Sequence, residues 1–485
     1  MVLQQGPKRA NLWGYASNLG EVVSINLDDQ PVITAPVVAG HFESWGVWSV
    51  KLPPMPPGGP HVITAVLQND TKIMLQDVLF GDVWVCSGQS NMEFDLRYTL
   101  NASYEFIDAH YYQDVRIFAA NRSQSTKPLY EFNSLHIQWS LPQNSSLGVD
   151  QNQFTYFSAV CWLYGKYLYQ KLGYPIGLME SSWGGTPVEA WSDVKSLAQC
   201  GIKPPFKNES YMPYPSTPAV LWNAMIHPLL NNTIYGAIWY QVPLGTPVQM
   251  NRYNCTFPAM IDGWREMFHV GSNGETSDTF PFGFVQLAPW RNLSNVVGFP
   301  DIRWHQTADK GFVPNDRMQN VFMAVTMDLP DFTSPFSGIH PRDKQDVAHR
   351  LVLSALAIAY NYTGQRYAGP FPTAYEIYQT SSTVKIFYDE GSLDVRSKDG
   401  FENESGDCTP TSTSWYPAPI TDHYDASVTL SYVCGTLVPN YIRYAWRESP
   451  CPFKGCAVYE SVQNLPAPPF IENLFKTENE LIIPC

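Results

Sequence analysis

Gly81-Asp82-Val83-Trp84-Val85-Cys86-Ser87-Gly88-Gln89-Ser90-Asn91-Met92 is the stretch on which the fold turns. Asp82–Cys86 reads as a buried strand, Gly88 permits a tight turn, and Ser90 stands where a helix begins. A serine there is exposed beyond the carboxyl end of a strand, near backbone N–H groups aimed at an anion. Serine is also a common helix cap. Spacing alone leaves nucleophile and cap both open.

Outward from this stretch, short apolar runs recur at Pro175–Glu180, Ile234–Gln241, Phe282–Leu287 and Phe322–Met327, with helices expected at Ala159–Leu172 and Asp343–Tyr360. Strands alternating with helices predict an α/β domain with a mostly parallel sheet over residues 77–366. Residues 1–76 read as a small β-sandwich, from Val22–Leu27, Trp48–Leu52 and His61–Leu67 between turn-rich segments such as Pro53–Pro60. Residues 367–485 read as a β-rich, disulfide-containing domain, with strands at Val384–Tyr388, Ala426–Cys434 and Tyr441–Trp446.

In an open α/β sheet the active residues gather at the carboxyl ends of the strands. The last strand leads to Ile339-His340-Pro341 before a helix, which places His340 to meet a nucleophile from the first. Ser90 and His340 together make a base-activated nucleophile. Trp183-Gly184-Gly185-Thr186 follows the second strand and offers a free N–H to an oxyanion, although paired glycines are more often only a turn.

Composition excludes other classes. The 485 residues are 44% apolar and 14% aromatic, enough for a large core and incompatible with a disordered chain. With 30 Lys+Arg against 44 Asp+Glu the net charge is −14, so phosphate-backbone binding is not expected and nucleic acid is excluded as a partner. The best apolar stretch, Leu351–Tyr360, is about half of what a bilayer needs, and no membrane span is expected. Gln4, Gln5, Lys8 and Arg9 interrupt any apolar leader, so no signal peptide is read in this chain. Ten Asn-X-Ser/Thr acceptors, at Asn69, Asn101, Asn121, Asn144, Asn208, Asn231, Asn254, Asn292, Asn361 and Asn403, predict a glycosylated, secreted or lysosomal protein. The nine cysteines lack zinc spacing, which favours disulfides, with Cys451–Cys456 and Cys408–Cys434 as pairs. The odd count leaves a thiol over, for which buried Cys86 and Cys161 are the candidates. No metal and no cofactor is implied.

The block from Gly81 to Met92 resembles the first block of the SGNH (GDSL-like) hydrolases and, more narrowly, the sialate O-acetylesterases. The likeness extends through Ser182-Trp183-Gly184-Gly185-Thr186-Pro187, Leu221-Trp222-Asn223-Ala224-Met225-Ile226, Ile302-Arg303-Trp304-His305-Gln306, His340-Pro341-Arg342-Asp343-Lys344-Gln345 and Leu465-Pro466-Ala467-Pro468-Pro469-Phe470. It implies a three-layer hydrolase domain flanked by β-rich domains, a Ser90 nucleophile, a His340 base, and oxyanion donors from the Ser90 and Gly185 backbone. The implied reaction removes O-acetyl groups, chiefly from the glycerol side chain of sialic acid, on a small molecule or a glycan.

Two positions depart from the family pattern. After Trp239-Tyr240-Gln241 the family usually reads Gly-Glu-Ser-Asn, whose Asn is the third oxyanion donor; here Val242-Pro243-Leu244-Gly245 puts Gly245 in its place. The Asp that many SGNH enzymes carry just before the His is absent, Ser337 and Gly338 standing there. Asp331, Asp343 or a backbone carbonyl is then expected to orient the imidazole, Asp343 also suiting a first-turn helix acid. Gln89, Trp183, Gln241, Arg303 and Gln306 are candidate substrate contacts, the last two serving equally as structural supports. The rivals are an acetylesterase for other acetylated sugars and a glycan-binding pseudoenzyme that lost turnover with the Asn.

Overall fold

The computed structural model describes the chain apart from residues 43, 68–71, 149–155, 204–213, 243–246, 390, 405–413, 434–437, 476–480 and 483–485. Two units emerge, one of Met1–Gln241 with Thr256–Phe282 and the other of Val242–Cys255 with Gly283–Cys485.

In the first unit the Gly81–Gly88 segment belongs to one long strand, β1 (Lys72–Gly88). Its outer half is largely exposed, whereas every residue from Val78 to Gly88 is buried. A strand covered on both faces loses its apolar–polar alternation, which is why this part reads as a continuous run. Asp82 is the charged exception, and the Gln4 and Gln5 amides and the Tyr174 hydroxyl all donate to its carboxylate. The outer half of β1 pairs with Gly58–Leu67, which pairs in turn with Val22–Leu27. A second sheet of Asn11–Ala16, Val38–Phe42 and Trp45–Lys51 meets this one over a core that includes Leu12, Ile25, Trp48, Ile63 and Phe80. β1 runs unbroken through position 76, where the sequence suggested a domain boundary.

The inner half of β1 enters a mostly parallel sheet with β2 (Val115–Ala120), β3 (Leu135–Ser140), β4 (Ile176–Ser182) and β5 (Gly236–Tyr240), in the order β3-β2-β4-β1-β5. Only β3, at the edge, is antiparallel to its neighbour. Short helix α1 (Ser90–Glu93) follows β1, and α2 (Ala159–Leu172) packs on β4. Ser158 caps α2 by accepting from the Cys161 N–H, and Gly173 ends it.

Cys86 and Cys161 are not free thiols. They form a buried disulfide, Cα–Cα 5.8 Å, that ties β1 to α2. Their 75-residue separation in sequence concealed it. Cys451 and Cys456 are joined as expected, Cys200 and Cys255 are also disulfide-bonded, and Cys408 and Cys434 lie outside the described residues. Helix α3 (Tyr253–Gly271) was not anticipated, because Pro258 interrupts its pattern.

The second unit carries most of β6 (Phe282–Gln286) together with β7 (Val321–Val325), neighbours in a sheet, and α4 (Lys344–Ile358) packs on β7. Beyond them lie antiparallel sheets built from strands such as Thr383–Tyr388, Ser427–Ser431, Phe401–Glu404 and Tyr441–Tyr444. The chain is thus mixed α/β with added β-rich sheets. No described helix is long and apolar enough to cross a membrane.

Candidate active site

Gly88 closes β1 against β5. Its φ is +142°, and a Cβ at that position would lie 2.1 Å from the Tyr240 carbonyl oxygen, so only glycine allows this approach. The turn is completed by the Gln89 N–H donating to Tyr240 O at 2.9 Å, and Ser90 then opens α1, partly buried.

The turn after β4 lies beside it. Trp183 N–H donates to Gly88 O at 3.1 Å, and Gly184 N–H donates to Glu93 Oε2 at 2.7 Å. A Cβ built on Gly184 would be 3.0 Å from Ser90 Cβ, so the two turns are in contact. Gly185 follows at φ +74°, facing open space, and its N–H has no acceptor among the described residues. A serine beside an uncommitted backbone donor is what acyl transfer needs at a developing oxyanion. Glu93 holds this corner from below: burial raises its pKa, opposed by Arg122, whose Nε donates to Oε1 at 2.7 Å. Nearby Glu180 is pushed up to about 8 by burial, while Ser158 N–H and Ser182 Oγ donate to its carboxylate.

In the second unit His340 sits in a loop closed on itself. Its Nδ1–H donates to Phe336 O at 2.7 Å, its N–H donates to Ser337 O, and Ser334 Oγ donates to its carbonyl. A proton committed at Nδ1 leaves Nε2 as the basic nitrogen of the neutral ring. Burial lowers the His340 pKa below the usual histidine value, and the Lys344 charge lowers it further.

The two candidate acids are engaged elsewhere. Asp331 accepts from Arg342 Nε at 2.7 Å and Nη2 at 3.0 Å, and from the Arg342 N–H, which clamps the two ends of the His340 loop. Asp343 caps α4, its Oδ1 accepting from Asp346 N–H, and burial pushes its pKa to about 6. The backbone carbonyl of Phe336 is what grips Nδ1.

Comparison with known proteins gives this geometry a context. A profile of the sialate O-acetylesterase C-terminal domain matches residues 373–474. Sialate O-acetylesterase from Rattus norvegicus is 42% identical, over 97% of this chain and 92% of its own length. That from Homo sapiens is 44% identical, over 97% of this chain and 90% of its own. The chain belongs to the sialate O-acetylesterase family. A solved carbohydrate acetylesterase from Xanthomonas citri is similar throughout, with TM-score 0.79 and 26% identity, covering 98% of this chain and 97% of that one.

In this sialate O-acetylesterase relative, four of the five residues expected at the substrate are braces. Arg303 is fully buried, its guanidinium donating to the carbonyls of Leu287, Arg447 and Glu448, and burial lowers its pKa to about 9. Gln306 is equally buried, accepting from Leu287 N–H and donating to Val285 O. These two anchor backbone and leave no surface for a substrate. Gln89 and Gln241 are buried and both donate to Thr186 O, bracing the Gly185 turn. Trp183 alone of the five is partly exposed. Gly245 lies outside the described residues.

Sequence reading missed Glu93, whose only signal is an acid in the first turn after Ser90, and Phe336, whose contribution is a carbonyl that any residue could supply. Among the glycan acceptors, Asn101, Asn121, Asn144, Asn292 and Asn361 are exposed, Asn231 and Asn254 are partly buried, and Asn69 and Asn208 lie outside the described residues. Asn403 is a correction. It is fully buried in a strand paired on both sides, its Nδ2 donating to Glu404 O, and this packing has no room for a glycan.

Proposed function

We propose that the protein is a secreted or lysosomal carboxylic-ester hydrolase that removes O-acetyl groups from sialic acid, chiefly at the 9-position. The observation that carries this reading is full-length kinship with proteins named sialate O-acetylesterase. Ser90 attacks the acetyl carbonyl while His340 Nε2 takes its proton. The oxyanion forms against the Ser90 and Gly185 N–H groups, the sugar hydroxyl leaves with a proton from His340, and water activated by His340 releases acetate from the acetyl-enzyme. The Phe336 carbonyl serves the orienting role that an acid fills in a triad. Gly245 in place of the third donor lowers turnover by about 10²–10³ with little effect on binding.

The solved carbohydrate acetylesterase relative favours a second reading, in which the acetyl group sits on another sugar. Acetate release from O-acetylated sialic acid and from acetylated plant polysaccharide, measured beside glycan binding on one preparation, separates the readings. Sialate-specific release supports the first, polysaccharide-specific release the second, and binding without release the pseudoenzyme. Rebuilding residues 242–245 as Gly-Glu-Ser-Asn is expected to raise turnover; an unchanged rate removes the argument from Gly245.

A further inference from the structure

The strand Asn11–Ala16 buries Leu12 and Ala16, and its antiparallel partner Trp45–Lys51 buries Trp48 and Val50, all in the sandwich core. Alternation therefore turns Asn11, Trp13, Tyr15 and Ser49 to the outer face. An outer face is ordinarily polar, yet this one carries two aromatic rings on alternate residues, their Cα atoms about 7 Å apart. Both are only half-buried. They line a cleft of about 400 Å³ together with Tyr130 and Asn231. The rings are set in place: Tyr15 Oη donates to Glu131 at 2.6 Å, Trp13 Nε1 approaches the same carboxylate at 3.4 Å, and Tyr130 stacks on His41 at 3.5 Å.

Aromatic faces flanked by amide and hydroxyl groups match the amphipathic surface of a pyranose, apolar on its C–H face and hydroxylated at its edge. The wall supplies the second observation. Asn231-Asn232-Thr233 is an acceptor sequence, and within it Asn232 Nδ2 donates to Leu229 O while Thr233 Oγ1 donates to Arg9 O. Asn231 takes a bond from Asn11 only at its main-chain oxygen, and its carboxamide makes no hydrogen bond among the described residues.

We propose that this aromatic cleft seats the carbohydrate linked to Asn231 of the same chain. The covalent step exchanges one N–H of Asn231 Nδ2 for a bond to the anomeric carbon of a diphosphate-linked oligosaccharide. The diphosphate leaves and the amide proton is lost. The first sugars then lie over Trp13 and Tyr15 and meet the exposed Ser49. The inference rests on the secretory route proposed above and is independent of whether the esterase turns over.

The test is site-resolved glycopeptide mass spectrometry on protein secreted from a eukaryotic host. Asn231 is expected to be occupied and to keep unprocessed oligomannose, because a seated glycan is shielded from trimming, while exposed Asn101 and Asn144 are processed. Trp13→Ala with Tyr15→Ala is expected to raise processing at Asn231 to the level at Asn101. Asn231→Gln, which leaves the fold's contacts intact, is expected to speed hydrogen exchange in 11–16 and lower Tm by about 2–4 °C. An unoccupied Asn231, or one processed like Asn101 before any substitution, overturns the proposal. So does soluble chitobiose that quenches tryptophan fluorescence equally in native protein and Asn231→Gln, since the cleft would then serve a free glycan.

Discussion

Replacing Gly88 by Ala tests how the fold places Ser90, the proposed nucleophile. The added methyl would meet the Tyr240 carbonyl oxygen at 2.1 Å and its carbon at 2.8 Å, against a floor of 3.0 Å for real contacts. The obstacle is main chain in the neighbouring strand β5, which cannot swing aside as a side chain can. The turn must open by about 1 Å, and an L-residue at φ +142° adds strain on the order of 1–3 kcal/mol. Ser90 is two residues further on, and a displacement of about 1 Å at a reacting group costs roughly 10²-fold in rate. The assay is the rate at which an organophosphonate ester labels Ser90, read beside far-UV circular dichroism and Tm. Labelling about 10²-fold slower in a folded protein is the expected outcome. A variant that labels within threefold of wild type refutes the placement argument.

Asp331→Asn and Asp343→Asn are each expected to leave kcat within about tenfold, because the Phe336 carbonyl holds His340 Nδ1; a loss near 10⁴, as when a triad acid is removed, makes that carboxylate the orienting group. Burial lowers the His340 pKa, so the neutral, base-competent ring persists below pH 6.5 and is lost only as pH falls through the lowered value. The acid limb of kcat/KM is therefore expected below 6.5, and a midpoint at or above it contradicts the buried-base geometry. Cys86→Ala with Cys161→Ala opens a loop closed across 75 residues, about 4–5 kcal/mol by chain entropy, to be read as a lower denaturant midpoint; a loss under about 1 kcal/mol contradicts it.

What was legible in the sequence was what local pattern encodes. Ala159–Leu172 and Val22–Leu27 fall where periodicity and turn residues put them, because Ser158 caps the one and alternation marks the other. Ser90, Gly185 and His340 are proposed for the site because each follows a strand end, where an α/β sheet gathers its chemistry. The remainder depends on contacts distant in sequence or on groups without a side-chain signature. The Cys86–Cys161 bond joins β1 to α2, and no spacing rule brings those positions together. In sequence Arg303 suits a substrate contact and a structural support equally, and only its guanidinium, spent on three carbonyls, decides for support. Asn403 carries a sequon indistinguishable from the others, and only its place inside a paired strand sets it apart. Phe336 acts through its carbonyl, which no residue type announces.

Ser90 carries the whole chemical assignment, and acetate release from 9-O-acetylated sialic acid puts it at risk. Wild-type protein and Ser90→Ala are to be compared at equal concentration, with a sensitivity suited to turnover slowed about 10²–10³-fold. Slow, saturable release that disappears in Ser90→Ala is the predicted result. Release that persists undiminished in Ser90→Ala, or none from a folded wild-type protein that still binds the sugar, contradicts an acyl-enzyme esterase.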